Sequence, residues 1–425
     1  MKIALDISML YIAGAGVFYH RYNLIRAMLA LPSDHEFVLL DFFPIPGGWV
    51  RQNPPEVAIL LSSGVNVQQV EGLKHRKLAH VGPFQGRWLS SLAAGLDRIL
   101  DGTWGKLCSA EVDRRVRRQL AGADLFHSSE VLQVALPGAA NVITIHDLTA
   151  LLFPEYHTPQ VRELQGQKLR FAQTEADVVI AVSESTKQDL VEHLGLDPAR
   201  VHVVHNGADP SFRPLPPEVV ASTLSPLGLA LQQGSGRALQ DYILNVGTIE
   251  PRKNLVRLIE AYHRLRKESP RPVPKLVLAG AQGWLYDEVF EQIAALDLEG
   301  AVVYLGRVES EVLPALYNGA RLFVYPSLYE GFGLPVLEAM ACGVPTITSN
   351  RSSLPEVAGD AALLVDPQDV AQIAEAMGNL LENEGGREHL REQGFSQAAR
   401  FTWERAAKET FAVYEGSIDS RRATR

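Results

Sequence analysis

The feature that most constrains the fold is a repeated alternation of short apolar runs with segments of helical periodicity. Runs of four to seven residues rich in Val, Ile and Leu recur through both halves of the chain. Near-continuous apolar strands of this kind belong to parallel sheets covered on both faces by helices. The predicted strands are residues 2–7, 36–42, 141–145, 177–181 and 201–204, then 241–246, 275–279, 301–305, 321–325 and 361–365.

A segment rich in proline and glycine separates the two sets of strands. Residues 210–236 contain five prolines and end in Gly-Ser-Gly, a density that interrupts regular structure. At 425 residues the chain is also too long for one compact core. We therefore predict an α/β protein of two doubly wound domains, residues 1–209 and 237–400, joined by a linker at 210–236. Residues 401–425 would form a helix that crosses back to the first domain, with a frayed tail after Ser417.

Composition excludes several other classes of protein. The net charge of -9 argues against general nucleic-acid binding. Two cysteines, without further ligands at metal-binding spacing, predict neither a disulfide framework nor a zinc site. With no signal-peptide pattern and no apolar run near 18 residues, we expect a cytoplasmic protein.

Two loops of the second predicted domain carry chemistry. Residues 247–254 (GTIEPRKN) place an Arg-Lys pair at the start of a helix, where the helix N-terminus already favours an anion such as a diphosphate. A solvated cationic pair is the equally weighted alternative. Residues 326–343 (PSLYEGFGLPVLEAMACG) place Glu330 before a helix and Glu338 about one turn inside it. One carboxylate can then reach sugar hydroxyls while the other reaches a ribose diol.

The second loop resembles the Glu-x7-Glu motif of the GT4 family of retaining glycosyltransferases, which have the GT-B fold of two Rossmann-like domains facing across a cleft. The resemblance extends to residues 182–190 (VSESTKQDL), 203–209 (VVHNGAD) and 247–254, and is weakest at 47–120. The Pro-Arg-Lys-Asn string resembles a subgroup of which several members use GDP-mannose. The chain departs from many members at Glu250, where they have Arg.

The resemblance implies roles for individual residues. Glu330 would contact the donor sugar, Glu338 the nucleotide ribose, and Arg252 with Lys253 the diphosphate. His146 would lie near the reacting carbon, with Asp147 as its positioner or a structural anchor. The catalytic residues are thus His146, Glu330 and Asp147. The donor-binding residues are Gly14, Gly16, Gly247, Arg252, Lys253, Arg307, Val308, Gly331, Phe332, Gly333, Leu334 and Glu338.

Several of these assignments have a plain structural alternative. The Gly14-Ala15-Gly16 string is a weak signal by itself. Arg307 fits a surface residue nearly as well as a contact to the nucleobase. His127, which would follow a strand and face the acceptor, is as readily a structural histidine. Ser183 caps a helix as well as any serine would.

A basic stretch at residues 72–118 holds ten Lys or Arg against four Asp or Glu. Within it, residues 84–100 place Trp88, Leu92, Leu96 and Ile99 on one helical face. Such a helix could contact an anionic membrane at the inner face, near a lipid-linked acceptor. More often a stripe of this kind packs on its own domain.

The function predicted is transfer of a hexose, mannose from GDP-mannose first and sugars of UDP or dTDP next, to a glycan or lipid-linked glycan hydroxyl. Charge on the leaving diphosphate would be stabilised by Arg252, Lys253 and the Gly331 and Gly333 amides without a metal. The sequence contains no Asp-x-Asp that would hold one. A sugar-nucleotide epimerase and a non-catalytic nucleotide-sugar-binding protein are the rivals.

Overall fold

The structure is a computed structural model that describes residues 1–7, 10, 16–42, 60, 66–70, 114, 116–118, 120–129, 133–229, 232–234, 237–239 and 242–423. The strands are β1 Lys2–Asp6, β2 Glu36–Phe42, β3 Asn66–Val70, β4 Leu125–Ser128, β5 Ala140–Ile145, β6 Val178–Ala181, β7 Val201–Val203, β8 Gln232–Gly234, β9 Arg237–Leu239, β10 Tyr242–Val246, β11 Lys275–Ala279, β12 Val302–Gly306, β13 Leu322–Tyr325, β14 Thr346–Ser349 and β15 Ala362–Val365. The helices are α1 Gly16–Ala30, α2 Thr149–Leu152, α3 Pro159–Thr174, α4 Glu184–Leu194, α5 Pro217–Leu224, α6 Leu255–Glu268, α7 Asp287–Ala295, α8 Leu313–Asn318, α9 Leu334–Ala341, α10 Leu354–Ala358, α11 Val370–Glu382, α12 Glu384–Ala398 and α13 Trp403–Ala423.

Two sheets organise these elements. A seven-stranded sheet has the order β3-β2-β1-β4-β5-β6-β7, and a six-stranded sheet has the order β12-β11-β10-β13-β14-β15. Every strand pair of the six-stranded sheet is parallel. Strand orders that run outward from the first strand in both directions require crossovers on both faces, which is the doubly wound arrangement. The predicted α/β class is therefore confirmed.

The six-stranded sheet is covered on both faces, as its apolar strands predict. Leu244 and Phe323 belong to one buried cluster, with residues of α5, α8, α9 and α10. Ile243 and Leu322, their neighbours along the strands, belong to a second cluster with residues of α6, α7 and α11. Because successive side chains point to opposite faces, an unbroken apolar run fills both clusters at once.

Contacts between residues divide the chain into two compact units. Unit 1 comprises Met1–Thr144, Arg170–Val179 and Phe411–Arg425. Unit 2 comprises Ile145–Leu169 and Ile180–Thr410, and it contains all of the six-stranded sheet. These ranges differ from the domain bounds predicted from the sequence, and those bounds stay predictions.

The segment expected to be an irregular linker contains regular structure. Residues 217–224 form helix α5, in which Pro217 occupies the first turn, where its missing N–H costs nothing. Val220 and Leu224 are buried in the cluster that includes Leu316. The proline count did not reveal this, because Pro217 starts a helix, and the linker at 210–236 stays a prediction.

The C-terminal tail is not frayed in the part that the structure describes. Helix α13 continues to Ala423, six residues beyond Ser417. Ile418 is buried, and Nη1 of Arg421 lies 2.5 Å from Oδ2 of Asp177 within unit 1. The hydrophilic composition concealed this, because Ile418 is the only large apolar side chain after Ser417 in the sequence.

One close backbone contact in unit 2 depends on a glycine. Ala208 forms a parallel bridge with Thr402, and its N–H donates to the carbonyl of Phe401 at 3.1 Å. A Cβ on Gly207 would lie 2.2 Å from the backbone nitrogen of Trp403. Only glycine therefore lets the loop after β7 meet the start of α13.

Candidate active site

The site is built where the loops after β10 and β13 meet, at the carboxyl edge of the six-stranded sheet. Leu328 donates its N–H to the carbonyl of Arg252 at 2.9 Å. The amide of Asn254 donates to the carbonyls of Pro326 at 3.0 Å and Pro367 at 2.6 Å. Asn254 has φ 60°, a left-handed conformation that asparagine tolerates. The end of the GTIEPRKN loop is thus fastened to the Glu330 loop, as adjacent parallel strands predict.

Glu330 lies at the centre of this junction and is buried. Its Oε1 accepts from Nζ of Lys253 at 2.7 Å, from the hydroxyl of Tyr325 at 2.9 Å and from Ser327 at 2.6 Å. Its Oε2 lies 2.8 Å from Nη1 of Arg252. Burial by itself would raise the pKa of Glu330, but Arg252 and Lys253 outweigh it and lower the pKa to about 2. The carboxylate is therefore ionised at neutral pH.

Arg252 connects Glu330 to a second buried carboxylate. Its Nη2 lies 2.5 Å from Oε1 of Glu250, and its Nη1 donates to the carbonyl of Tyr329 at 2.7 Å. Burial would lower the pKa of Arg252, yet the charges of Glu330 and Glu250 raise it above its usual value. Glu250 thus holds the guanidinium through Nη2, while Glu330 faces Nη1.

Lys253 is buried between Glu330 and Tyr325. Its Nζ donates to the hydroxyl of Tyr325 at 2.6 Å and lies 5.1 Å from the centre of that ring. Burial and the neighbouring Arg252 lower the pKa of Lys253, while Glu330 opposes the shift. The Arg-Lys pair is therefore not a solvated surface pair: both cations face inward.

His146 and Asp147 join the same cluster from the end of β5. A Cβ on Gly331 would lie 1.7 Å from the carbonyl oxygen of His146, so glycine alone permits this approach. Asp147 accepts from the N–H and the hydroxyl of Thr149 at 3.0 Å and 2.5 Å. Burial would raise the pKa of Asp147, but Arg252 and the bonds from Thr149 lower it.

Ser183 fixes the Gly331 backbone from a further element. Its hydroxyl donates to the carbonyl of Gly331 at 2.7 Å and accepts from the N–H of Thr186 at 3.0 Å, which caps helix α4. The capping role expected of Ser183 is confirmed. The same side chain also orients the loop that carries Glu330.

Helix α9 begins directly after this loop. Gly333 precedes it with φ 105°, and a Cβ there would lie 2.7 Å from Cδ2 of Leu354. Among the described residues no side chain caps the start of α9, and Pro335 lies in its first turn as predicted. Phe332 is buried in the core and Leu334 is half-buried against it. Phe332 and Leu334 could therefore contact a donor chiefly through their backbone.

Glu338 lies inside α9, as the spacing from Glu330 predicts. Its Oε2 accepts from the hydroxyl of Tyr317 at 2.8 Å. Burial, with a contribution from Asp209 and against the bond from Tyr317, raises the pKa of Glu338 to about 7. Its carboxyl group thus titrates near neutral pH, unlike that of Glu330.

The structure describes the surroundings of most of the remaining predicted donor-binding residues. Gly306, with φ 68°, ends β12, and after it Arg307 is exposed and Val308 half-buried. The nearest atoms to a Cβ on Gly247 would be 3.6 Å away, and none lies within 4 Å of one on Gly16. Neither position requires glycine for the packing that the structure describes. Gly14 and the helical pattern predicted at residues 84–100 lie outside the described residues.

His127 lies within β4 rather than after it, and this corrects the expectation from the sequence. The side chain is fully buried in unit 1. Its Nδ1 lies 2.5 Å from the hydroxyl of Tyr414 and its Nε2 lies 2.9 Å from Oγ1 of Thr144. Both ring nitrogens have internal partners, which favours the structural alternative over an acceptor contact.

Three contributors to the cluster were not singled out from the sequence: Glu250 as a partner of Arg252, and Tyr325 and Ser327 as partners of Glu330. Tyr325 is the last residue of a predicted strand, and such residues border a ligand in doubly wound sheets. That position is the one signal that could have found it.

Comparison with known proteins agrees with this architecture. Residues 233–397 match the family model of glycosyl transferases group 1, and residues 96–212 match that of glycosyltransferase family 4. The chain is 36% identical over 274 residues to the O-antigen chain mannosyltransferase B of Escherichia coli, covering 64% of this chain and 70% of that protein. It is 33% identical over 269 residues, 63% of this chain, to the serotype-specific mannosyltransferase WbdA of the same organism, of which it spans 32%.

Among solved structures, Anabaena Alr3699/HepE in complex with UDP and glucose superposes with a TM-score of 0.66 at 18% identity, covering 98% of this chain and 100% of that one. The fold is therefore the α/β GT-B fold. The chain belongs to the GT4-type glycosyltransferases.

Proposed function

We propose that this protein is a retaining hexosyltransferase that moves mannose from GDP-mannose to a hydroxyl of a glycan or lipid-linked glycan without a metal ion. The observation that carries the proposal is the placement of Arg252 and Lys253, both against Glu330, beside the uncapped start of α9. Cations and helix N–H groups converging at one strand edge form a site for a diphosphate. The mannosyltransferases among its relatives support the choice of sugar.

In the proposed mechanism, the bond between the anomeric carbon and the diphosphate breaks while negative charge grows on the leaving phosphate. Arg252, always charged, and Lys253 stabilise that charge in a buried setting, where fixed charges act strongly. Arg252 and Lys253 both face Glu330 in the structure. A bound diphosphate draws the two cations partly away from that carboxylate. Glu330 is then free to accept hydroxyl bonds from the donor sugar.

His146 lies beside Gly331 through its backbone, which places it at the edge of the same cluster. In the proposal it contacts the donor sugar near the reacting carbon, with Asp147 ionised to hold local geometry. Glu338 receives the ribose hydroxyls. Attack of the acceptor on the face that the diphosphate leaves would retain the anomeric configuration, with the donor phosphate taking the acceptor proton.

The test is nucleotide release from GDP-, UDP- and dTDP-sugars, with and without a pool of glycans and glycolipids. The proteins compared are the wild type, Glu330→Ala and Glu375→Ala, since Glu375 is exposed on α11 and serves as a matched control. We expect release from GDP-mannose that needs acceptor, survives EDTA, and is lost only in Glu330→Ala. Conversion of donor alone would indicate an epimerase, and binding without release a non-catalytic protein. The anomeric configuration of the product, read by NMR, tests retention.

A further inference from the structure

A histidine and a tryptophan beside the charged cluster hold polar atoms for which the described protein supplies no partner. His157 follows a short 3-10 turn, Pro154–Tyr156, and Trp284 lies in the loop after β11. Their ring centroids are 5.5 Å apart. Both ring nitrogens of His157 and Nε1 of Trp284 are buried without a hydrogen bond to any described group. Each such atom costs about 1–3 kcal/mol, so the pair is poorly explained as simple packing.

The pair is attached to both loops of the site. Phe153, at the start of the turn, packs on Tyr329 with ring centroids 5.5 Å apart, and Glu330 is the next residue. On the other side, Gln282 forms a bridge with Ile249, the residue before Glu250. His157 and Trp284 therefore lie next to the cluster rather than on a remote surface.

The charges around His157 select the kind of ligand. Burial lowers the pKa of His157 despite the opposing charges of Asp147 and Glu250, so the ring is neutral at neutral pH. A neutral ring offers one donor and one acceptor, and Trp284 adds a second donor. The charged groups that act on the histidine are three carboxylates and one guanidinium: Asp147, Glu250, Glu155 and Arg252. With Arg252 assigned to the diphosphate, the charges left around His157 are negative and disfavour a second anion.

We propose that His157 and Trp284 form a subsite for a neutral hexose ring. Hydroxyl groups both donate and accept, which matches the three unpaired nitrogens, and the aromatic faces suit the C–H surface of a pyranose. The proposal rests on the proposed function, in which the ring belongs either to the acceptor or to the hexosyl group of the donor. Because the nitrogens are turned inward, the two rings rotate when the sugar binds.

The backbone next to Trp284 is poised for such a movement. Leu285 has φ 56°, a left-handed conformation that costs an ordinary L-residue about 1–2 kcal/mol. Its side chain is 62% exposed, so packing does not compensate for the strain. In the proposal, a shift of this loop relieves that strain as the indole N–H turns toward the sugar.

Direct binding can be measured without turnover. We would label the five tryptophans with 5-fluorotryptophan, assign the Trp284 signal in the 19F NMR spectrum by its loss in Trp284→Phe, and titrate methyl α-mannopyranoside. The Trp284 signal is expected to shift in the wild type and in His389→Ala, an exposed-histidine control, but not in His157→Ala. No shift with methyl α-mannopyranoside, or the same shift in His157→Ala as in the wild type, would overturn the subsite. Because no catalysis is required, this result is separate from failure of the proposed function.

Kinetics then distinguish the two sources of the ring. If it belongs to the acceptor, His157→Ala and Trp284→Phe should raise the acceptor KM about tenfold and leave donor hydrolysis without acceptor unchanged. If it belongs to the donor, the donor KM rises and that hydrolysis falls. Neither variant should lower the thermal midpoint much, because the nitrogens they remove are unpaired. The proposal would be contradicted if His157→Ala and Trp284→Phe had the same acceptor KM, donor KM and donor hydrolysis as His389→Ala.

Discussion

Nη1 of Arg252 lies 2.8 Å from Oε2 of Glu330, so the guanidinium proposed to hold a diphosphate is already engaged by a carboxylate. With Lys253 on the other carboxylate oxygen, Glu330 balances both cations. A donor must therefore exchange one set of ion pairs for another rather than meet bare charges. Exchange of this kind keeps the cations oriented at a lower electrostatic cost than two unpaired buried charges.

Glu330→Gln keeps the size of the side chain and removes its charge. Since it leaves two buried cations without their shared partner, we expect the free energy of unfolding at pH 7 to fall by about 3 kcal/mol, measured in urea. The pKa of Glu330 is lowered from 4.5 to about 2, because Arg252 and Lys253 outweigh the effect of burial. The stabilisation is thus complete above about pH 4.5 and is lost as the pH falls toward 2. A stability difference that stays constant from about pH 6 to pH 3 would contradict this assignment.

Glu250→Gln should have opposite effects on binding and on turnover. Counted as ionised, the cluster has three carboxylates (Glu250, Glu330 and Asp147) against Arg252 and Lys253, a net charge of -3 + 2 = -1. Removing one negative charge should tighten GDP binding about tenfold by calorimetry. Turnover should fall, because Arg252 loses the contact that orients it. Weaker GDP binding than in Glu375→Gln would show that orientation dominates over charge.

Glu338→Gln should remove a dependence on pH. Burial raises the pKa of Glu338 from 4.5 to about 7. A raised pKa means that this group favours the folded state below about pH 4.5 and loses that contribution as the pH rises through 7. Above pH 7 the variant should therefore be more stable than the wild type. We expect a gain of about 2 kcal/mol, less than the full pKa shift implies, because the side chain is partly exposed to solvent.

The pH dependence of GDP binding also reports the ionisation of Glu338. If ribose hydroxyls donate to the ionised Glu338, GDP should bind the wild type more weakly as the pH falls below 7, and the slope should vanish in Glu338→Gln. Equal slopes in the two proteins would refute the ribose contact while leaving the stability prediction standing.

Gly331→Ala should separate the loop from His146. The added Cβ would lie 1.7 Å from the carbonyl oxygen of His146, a backbone atom that cannot give way as a side chain would. We expect a loss of about 3 kcal/mol or failure to fold, measured by thermal denaturation, and no turnover. Gly300→Ala is the control, since no heavy atom lies within 4 Å of its Cβ. An unchanged thermal midpoint in Gly331→Ala would contradict the close approach.

Tyr414→Phe tests the structural role of His127. Losing one buried hydrogen bond should destabilise the protein by about 1 kcal/mol without altering the acceptor KM. A several-fold rise in that KM at unchanged stability would restore an acceptor role for His127.

The strands that the sequence predicts are those whose side chains are nearly all apolar, such as Tyr242–Val246 and Lys275–Ala279. The missed strand Thr346–Ser349 is central and fully buried, yet three of its four residues carry hydroxyls. Thr348 donates to the carbonyl of Tyr325 at 2.9 Å, and Thr346 to that of Val344. Hydropathy cannot register polar groups that are satisfied internally.

The positions of the candidate site residues could be predicted from spacing and resemblance, because strand ends and helix starts can be located along the chain; their roles stay predictions. Their pairing was not. That Glu250 holds Arg252, or that Tyr325 donates to Glu330, depends on side-chain directions fixed only when the two loops pack. Likewise, the unpaired nitrogens of His157 follow from burial by neighbours distant in sequence.

The contact between Ala208 and Thr402 also bears on how the protein is made. Its two partners lie at opposite ends of the long second stretch of unit 2. During synthesis, the loop after β7 leaves the ribosome long before residue 402. It therefore lacks its backbone partner while the strands of the six-stranded sheet are being made. Because domains generally fold as units, a nascent chain stopped before residue 401 would lack the backbone bridge between Thr402 and Ala208.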